Sequence, residues 1–174
     1  QIPLVLYIYF NLIHKVGMEQ FITDAAKAGV DGLLVLDLPP EESENYEGLM
    51  RKAGVANIYL VAPTTPEARM ELIVKRGAGF IYYISREGVT GMQSQVAANL
   101  AAQVAKIRAH TTLPIAVGFG VSNPEQAKVV AKDADGAVVG SAIVNQIAQH
   151  GKSPDCVAKV SAFVKSLGDA IKSV

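Results

Sequence analysis

Apolar residues in this chain fall into short continuous runs, separated by longer stretches with a three-to-four-residue repeat. The runs are Leu4–Phe10, Gly32–Leu38, Ile58–Ala62, Phe80–Ser85, Ile115–Phe119 and Ala137–Val139, rich in Val, Ile, Leu and Tyr. Runs of this kind, with little polar alternation, suit parallel strands covered on both faces. Between them Met18, Phe21, Ile22 and Ala25 recur at helical spacing, as do Val96, Leu100, Val104 and Ile107. Val157, Val160, Phe163, Val164 and Leu167 do the same near the end. The pattern predicts six βα units in succession, with an extra short helix after the last strand.

Helix starts carry their own signals. Thr64-Thr65-Pro66-Glu67 and Ser122-Asn123-Pro124-Glu125 each set a hydroxyl three residues before a Glu, with Pro in the first turn. That is a capping-box pattern. Ser153-Pro154-Asp155 predicts a third start. No linker, low-complexity stretch or charge block interrupts the chain, so residues 1–174 read as one domain.

Three glycine loops follow predicted strands: Gly88-Val89-Thr90-Gly91, Gly118-Phe119-Gly120 and Gly140-Ser141-Ala142. Glycine lets a backbone come close to a ligand and present bare N–H groups. The third loop runs into a helical pattern, and a helix N-terminus favours phosphate. Three such loops in a βα-repeating chain point to a phosphate held at the top of a (βα) barrel, near its last strands. A closed barrel of this type has eight strands and about 250 residues. Six strands would leave open edges, and an open doubly wound sheet is the alternative architecture. The glycine loops favour the barrel.

Composition narrows the function. Sixteen basic and sixteen acidic residues cancel, so there is no general attraction for nucleic acid or anionic lipid. Cys156 is the only cysteine, which fits a reducing, cytoplasmic setting. No run has the length of a membrane span. The apolar start Ile2–Ile13 lacks a basic leader and a small-residue cleavage site. Gln1-Ile2-Pro3 leads straight into a strand, and we read the chain as one that lacks its beginning.

Candidate chemistry is sparse. No predicted strand holds a Lys for a Schiff-base aldolase. His14, His110 and His150 lack metal-ligand spacing. Asp37 is the only carboxylate at a predicted strand end, and its parity is opposite to that of Leu34 and Leu36. Glu87 falls in a loop and is expected to face solvent.

Several runs resemble the tryptophan synthase α subunit. They include Tyr9-Phe10-Asn11, Gly29-Val30-Asp31-Gly32, Asp37-Leu38-Pro39 with Glu41-Glu42-Ser43, and Ala62-Pro63-Thr64-Thr65. The stretch from Tyr82 through Ser85 and Gly88 to Gly91 follows, then Val117-Gly118-Phe119-Gly120-Val121-Ser122 and Gly140-Ser141-Ala142-Ile143-Val144. The likeness runs through essentially the whole chain in order.

The resemblance implies a (βα)8 TIM-barrel fold, of which this chain would hold the third to eighth βα units. It implies aldol cleavage of indole-3-glycerol phosphate to indole and glyceraldehyde 3-phosphate, in tryptophan biosynthesis. It implies no metal or cofactor of its own, and a β subunit, which carries pyridoxal phosphate, as partner. Gly91, Gly120, Gly140 and Ser141 would form the phosphate cradle. Thr90 would order a lid, with Tyr82 as a further accessory residue. Tyr9, Leu60, Ile84 and Phe119 would line the indole pocket beside Tyr82, while Ile81 and Tyr83 pack under helices. Asn11 would orient a loop or face the β subunit.

The same resemblance places the acid and base, a Glu and an Asp, before the point where this chain starts. Neither has a counterpart here, so the chain by itself is expected to be impaired. Tyr7 and Leu36 stand at inward positions where the family is slimmer, and Leu12 stands where Pro is common. The alternatives are another phosphate-binding barrel isomerase, or a non-catalytic barrel fragment that binds phosphate or self-associates through open strand edges.

Overall fold

The computed structural model describes residues 2–84 and 93–174, the latter with side chains from 99 onward. The predicted Gly88–Gly91 loop, with Thr90, Gly91 and Glu87, lies outside the described residues. Contacts divide the chain into two compact units. One comprises Gln1–Tyr82 with His110–Leu113, and the other Tyr83–Ala109 with Pro114–Val174.

The first unit opens with strand β1 (Val5–Ile8), helix α1 (Phe10–Val16), helix α2 (Met18–Lys27) and strand β2 (Gly32–Val35). A single 3-10 turn (Pro40–Glu42) precedes α3 (Glu44–Ala53), followed by β3 (Ala56–Val61), α4 (Glu67–Arg76) and β4 (Ile81–Ile84), whose Tyr83 and Ile84 already belong to the second unit. β1, β2 and β3 are parallel neighbours, with Tyr7 opposite Leu34 and Leu34 opposite Ile58. Each helix buries one stripe: Ile22 and Ala25 from α2, Tyr46 and Met50 from α3, and Met70, Ile73 and Val74 from α4. Full burial of one such large side chain is worth roughly 1.5–3 kcal/mol. α3 has Glu44 and Glu47 in its first turn and Arg51 and Lys52 in its last, which complements its dipole. It ends on Gly54 at φ +71°, a left-handed position that favours glycine.

The second unit contains α5 (Gln93–Arg108), β5 (Ile115–Gly118), α6 (Pro124–Ala131), β6 (Gly136–Val138), α7 (Ser141–His150) and α8 (Cys156–Lys172). β5 and β6 are parallel, with Gly118 opposite Val138. Leu100, Val104 and Ile107 of α5 are buried, as are Ala127 and Val130 of α6.

The six strand runs are all present, but three local expectations need correction. The first strand stops at Ile8, and Phe10 already begins α1. The reason is Asp37, whose Oδ1 accepts the Phe10 amide at 2.6 Å and turns the chain away from the sheet. The capping boxes also differ. α4 takes Pro66 as its N-cap without a side-chain bond, and Thr65 Oγ1 instead accepts the Ala62 amide at 3.0 Å. At α6 the box shifts by one residue: Asn123 accepts from the Gln126 amide at 3.0 Å, and Gln126 Oε1 accepts from the Ser122 amide at 2.7 Å. Asparagine is at least as good a cap as serine. Finally, the α8 stripe is only partly covered, with Leu167 buried and Val157 and Val164 exposed.

A polar cluster sits between β3 and the helices outside it. Tyr59 donates to Glu47, and Arg76 Nε donates to the other Glu47 oxygen at 2.9 Å. Ser43, fully buried, has its hydroxyl 2.6 Å from Glu47 Oε1 and 2.9 Å from the Pro40 carbonyl. Burial pushes the Glu47 carboxyl up, and hydrogen bonds from Ser43, Tyr59 and Arg76 outweigh it, leaving the pKa below its usual value.

Candidate phosphate site

Two of the three glycine loops can be followed residue by residue, and both lie in the second unit. The register sets Gly118 against Val138. Phe119-Gly120 and Gly140-Ser141 therefore leave the same, C-terminal end of two adjoining parallel strands. Gly120 has φ +67°, in the left-handed region. A side chain there would be strained even though nothing lies within 4 Å of its Cβ position. Gly140 is the N-cap of α7, with φ −111° and ψ −83°. Its Cβ direction is also open to 4 Å.

α7 starts without a side-chain cap. The Ile143 and Val144 amides bond back to the Gly140 carbonyl at 2.9 and 3.1 Å. A helix start of this kind presents amides with no partner inside the helix and a partial positive charge. No acidic residue lies in the first turn of α7, so nothing there repels an anion. The exposed Ser141 stands at the first helical position.

The strand supports the loop from below. Asp135 accepts the Ile115 amide at 2.8 Å, and its own amide donates to the Ile115 carbonyl at 3.0 Å. Arg108 Nη2 lies 2.8 Å from the same carboxylate. The Ile115 amide first, and Arg108 with it, hold the Asp135 carboxyl below its usual pKa. These contacts tie β6 to β5 at the end away from the glycines.

The other expected residues are placed as follows. Phe119 is buried, with Ile115 and Val117. Ile84 is half-buried in β4. In the first unit Leu60 and Tyr82 are half-buried, and Tyr9 is 57% exposed. Ile81 and Tyr83 are buried. Tyr7 meets Tyr82 edge-on, with ring centroids 6.5 Å apart. Burial, and then the neighbouring Tyr7, raises the Tyr82 hydroxyl above the usual phenol pKa. Asp37, the strand-end carboxylate, is engaged by the Phe10 amide. Among the described residues, no group of three His, Cys, Asp or Glu is arranged to hold a metal ion.

Comparison with known proteins gives a consistent result. The family model described as "Tryptophan synthase alpha chain" matches residues 1–172. The tryptophan synthase alpha chain of Opitutus terrae is 51% identical over 168 residues, covering 96% of this chain and 63% of that protein. The Geotalea daltonii protein of the same name is 47% identical over 167 residues, with the same coverage. Among solved structures, tryptophan synthase subunit alpha from Legionella pneumophila matches with TM-score 0.88 and 35% identity, over 99% of this chain and 63% of that one. A tryptophan synthase complex from Pyrococcus furiosus matches with TM-score 0.82 and 32% identity, over 95% of this chain and 65% of that one. The chain thus spans about 63% of the length of the first of these curated relatives. Its fold is α/β and TIM-barrel-like, as in those structures.

Proposed function

The chain belongs to the tryptophan synthase alpha chain family, and on that premise we propose that its β5 and β6 loops hold the phosphate of indole-3-glycerol phosphate. The observation that carries this reading is the pairing of Gly118 with Val138. It brings Gly120, Gly140, Ser141 and the uncapped start of α7 to one end of two strands. Amides and an open glycine surface suit an oxyanion, which needs several short donors and no competing carboxylate.

The reaction served by this site is the retro-aldol cleavage that yields indole and glyceraldehyde 3-phosphate. The indole C3 must gain a proton while the glycerol hydroxyl loses one, which calls for an acid and a base in different protonation states. Asp37 is held by a backbone amide, and we assign it no part in that transfer. By the family resemblance the acid and base are a Glu and an Asp with no counterpart among these 174 residues. Gly91 and Thr90 complete the cradle and its lid. Ile84 and Phe119 of the second unit are assigned to the indole side of the substrate, and in the first unit Tyr7 restricts the space near Tyr82.

A β subunit is the proposed partner of the protein, supported by relatives whose structures are tryptophan synthase complexes. The cytoplasm is the proposed location. Among the described residues no helix is long and apolar enough to cross a membrane, and Cys156 is a free thiol.

The test is a titration with an uncleavable indole-alkyl phosphate, followed through backbone amides by NMR. Saturable shifts at Gly120 and Gly140, lost in Gly140→Glu, are expected. A folded chain with no shift at either glycine would overturn the assignment.

A further inference from the structure

We propose that Asp37 is a positioning residue: by holding the Phe10 amide it fixes Tyr9 at the C-terminal end of β1, where its ring meets the indole of the substrate. The inference rests on the reading of the substrate as an indole-bearing phosphate. The residues that carry it all belong to the first unit.

The end of the β1–β2 ladder shows how the bond works. Its last backbone bond runs from the Leu36 amide to the Ile8 carbonyl at 3.1 Å. In a parallel ladder the next would run from the Phe10 amide to the Leu36 carbonyl. The Phe10 amide goes instead to Asp37 Oδ1 at 2.6 Å, so a side chain replaces backbone just where the chain leaves the sheet. Only Tyr9 separates β1 from α1. It is the N-cap of α1 and makes no side-chain cap bond. Asp37 supplies from a distance the carboxylate that a helix start favours.

The consequence falls on Tyr9. The peptide unit is planar, so fixing the Phe10 amide fixes the ψ of Tyr9. Its φ of −92° and ψ of 145° are extended. Tyr9 therefore continues the alternation of β1 and lies on the face of Tyr7, whose ring meets Tyr82 edge-on. It is 57% exposed and open to a ligand. Parallel βα units present their ligand-binding side chains at this end of the strands.

The simpler role for Asp37 is to cap α1 and nothing more. The same strand carries a control for that role. Asp31 accepts the Leu4 amide at 2.7 Å, which is the same kind of bond at the opposite end of β1. The two carboxylates should matter alike for folding, and only Asp37 for the ligand.

The experiment titrates the chain and its Asp37→Ala, Asp37→Asn and Asp31→Ala variants with the uncleavable indole-alkyl phosphate and, separately, with glycerol 3-phosphate. Backbone amides are followed by NMR, and urea unfolding is recorded for each variant. In the parent the indole ligand should shift the Tyr9 and Phe10 amides, and glycerol 3-phosphate should not. Asp37 is exposed, so Asp37→Ala should fold. It should bind the indole ligand about tenfold more weakly, the size of one lost aromatic contact, with its affinity for glycerol 3-phosphate unchanged. Asp37→Asn keeps an acceptor for Phe10 and should bind as the parent does. Asp31→Ala should lose stability and keep its indole affinity. Shifts at Gly120 and Gly140 with Tyr9 and Phe10 silent would overturn this proposal alone. Silence at all four would overturn the phosphate assignment with it. Parent-like indole affinity in Asp37→Ala, or an equal loss in Asp37→Asn or Asp31→Ala, would also overturn it.

Discussion

Asp135 and Ile115 are bound to each other twice, once through the Asp135 carboxylate and once through its amide. The same device joins Asp31 to Leu4: the Asp31 carboxylate accepts the Leu4 amide at 2.7 Å, and the Asp31 amide donates to the Leu4 carbonyl at 2.8 Å. In each unit an Asp just before one strand clasps the residue at the start of the preceding one. A parallel sheet leaves the first amide of each strand without a partner, and these carboxylates supply it.

Asp135→Ala should therefore destabilise the chain by about 1–2 kcal/mol, the cost of an amide left unpaired. Asp135→Asn keeps an acceptor for Ile115 and loses only the exposed pair with Arg108, which is worth about 1 kcal/mol at most. The folded pKa is lowered from the ordinary 3.8. Its stabilisation is then complete above that value and is lost as pH falls through the lower folded one. Urea unfolding between neutral and strongly acidic pH checks the sign, and the pH dependence should shrink in Asp135→Asn.

Glu47 is the second acid-sensitive group. Its pKa lies below the ordinary 4.5, so its contribution is also present above that value and lost below it. Tyr59→Phe removes one donor and should cost about 1 kcal/mol. Glu47→Gln breaks the pairing with Arg76 and should cost about 2 kcal/mol or more, because the pair is largely covered. Equal stability of Glu47→Gln and the parent in urea would contradict this.

Gly32 of β2 lies against β3 with no room for a side chain. A Cβ added there would meet Ile58 Cδ1 at 2.9 Å and the Ala56 carbonyl at 3.2 Å. Gly32→Ala should lower stability by about 1–3 kcal/mol through overpacking. Thermal unfolding measures it, and an unchanged midpoint would show that Ile58 moves aside freely.

Gly140 and Gly120 should separate binding from folding. A Cβ at Gly140 meets no atom within 4 Å, so Gly140→Glu should leave the unfolding midpoint nearly unchanged. It should nevertheless abolish binding of the indole-alkyl phosphate, since its charge sits at the start of α7. Gly120→Ala forces a side chain into φ +67° and should cost about 1 kcal/mol in stability. Calorimetric titration of each variant, beside its unfolding curve, tells the two effects apart.

β1 pairs only with β2 among the described residues, and Leu4, Tyr7 and Tyr9 next to or within it are more than half exposed or at the half mark. An unprotected apolar edge of this sort favours self-association. Sedimentation velocity should show concentration-dependent oligomers that diminish in Leu4→Lys. A monomer at all concentrations would remove this expectation.

The order of elements was legible in the chain because buried parallel strands and amphipathic helices leave different periodicities. All six apolar runs became strands, and the Gly-Phe-Gly and Gly-Ser-Ala segments follow β5 and β6 as their position promised. Local caps were less legible. Ser122 and Asn123 are both good caps, and only the path of the backbone decided that Asn123 accepts the Gln126 amide. Tertiary structure also decided what depends on two distant segments meeting. The end of β1 is set by Asp37, 27 residues away. The Glu47 cluster draws on Ser43, Tyr59 and Arg76. Asn57 looks like any polar residue in a strand until the fold buries it. Periodicity is a property of neighbours along the chain, whereas hydrogen-bond partners and desolvation belong to neighbours in space.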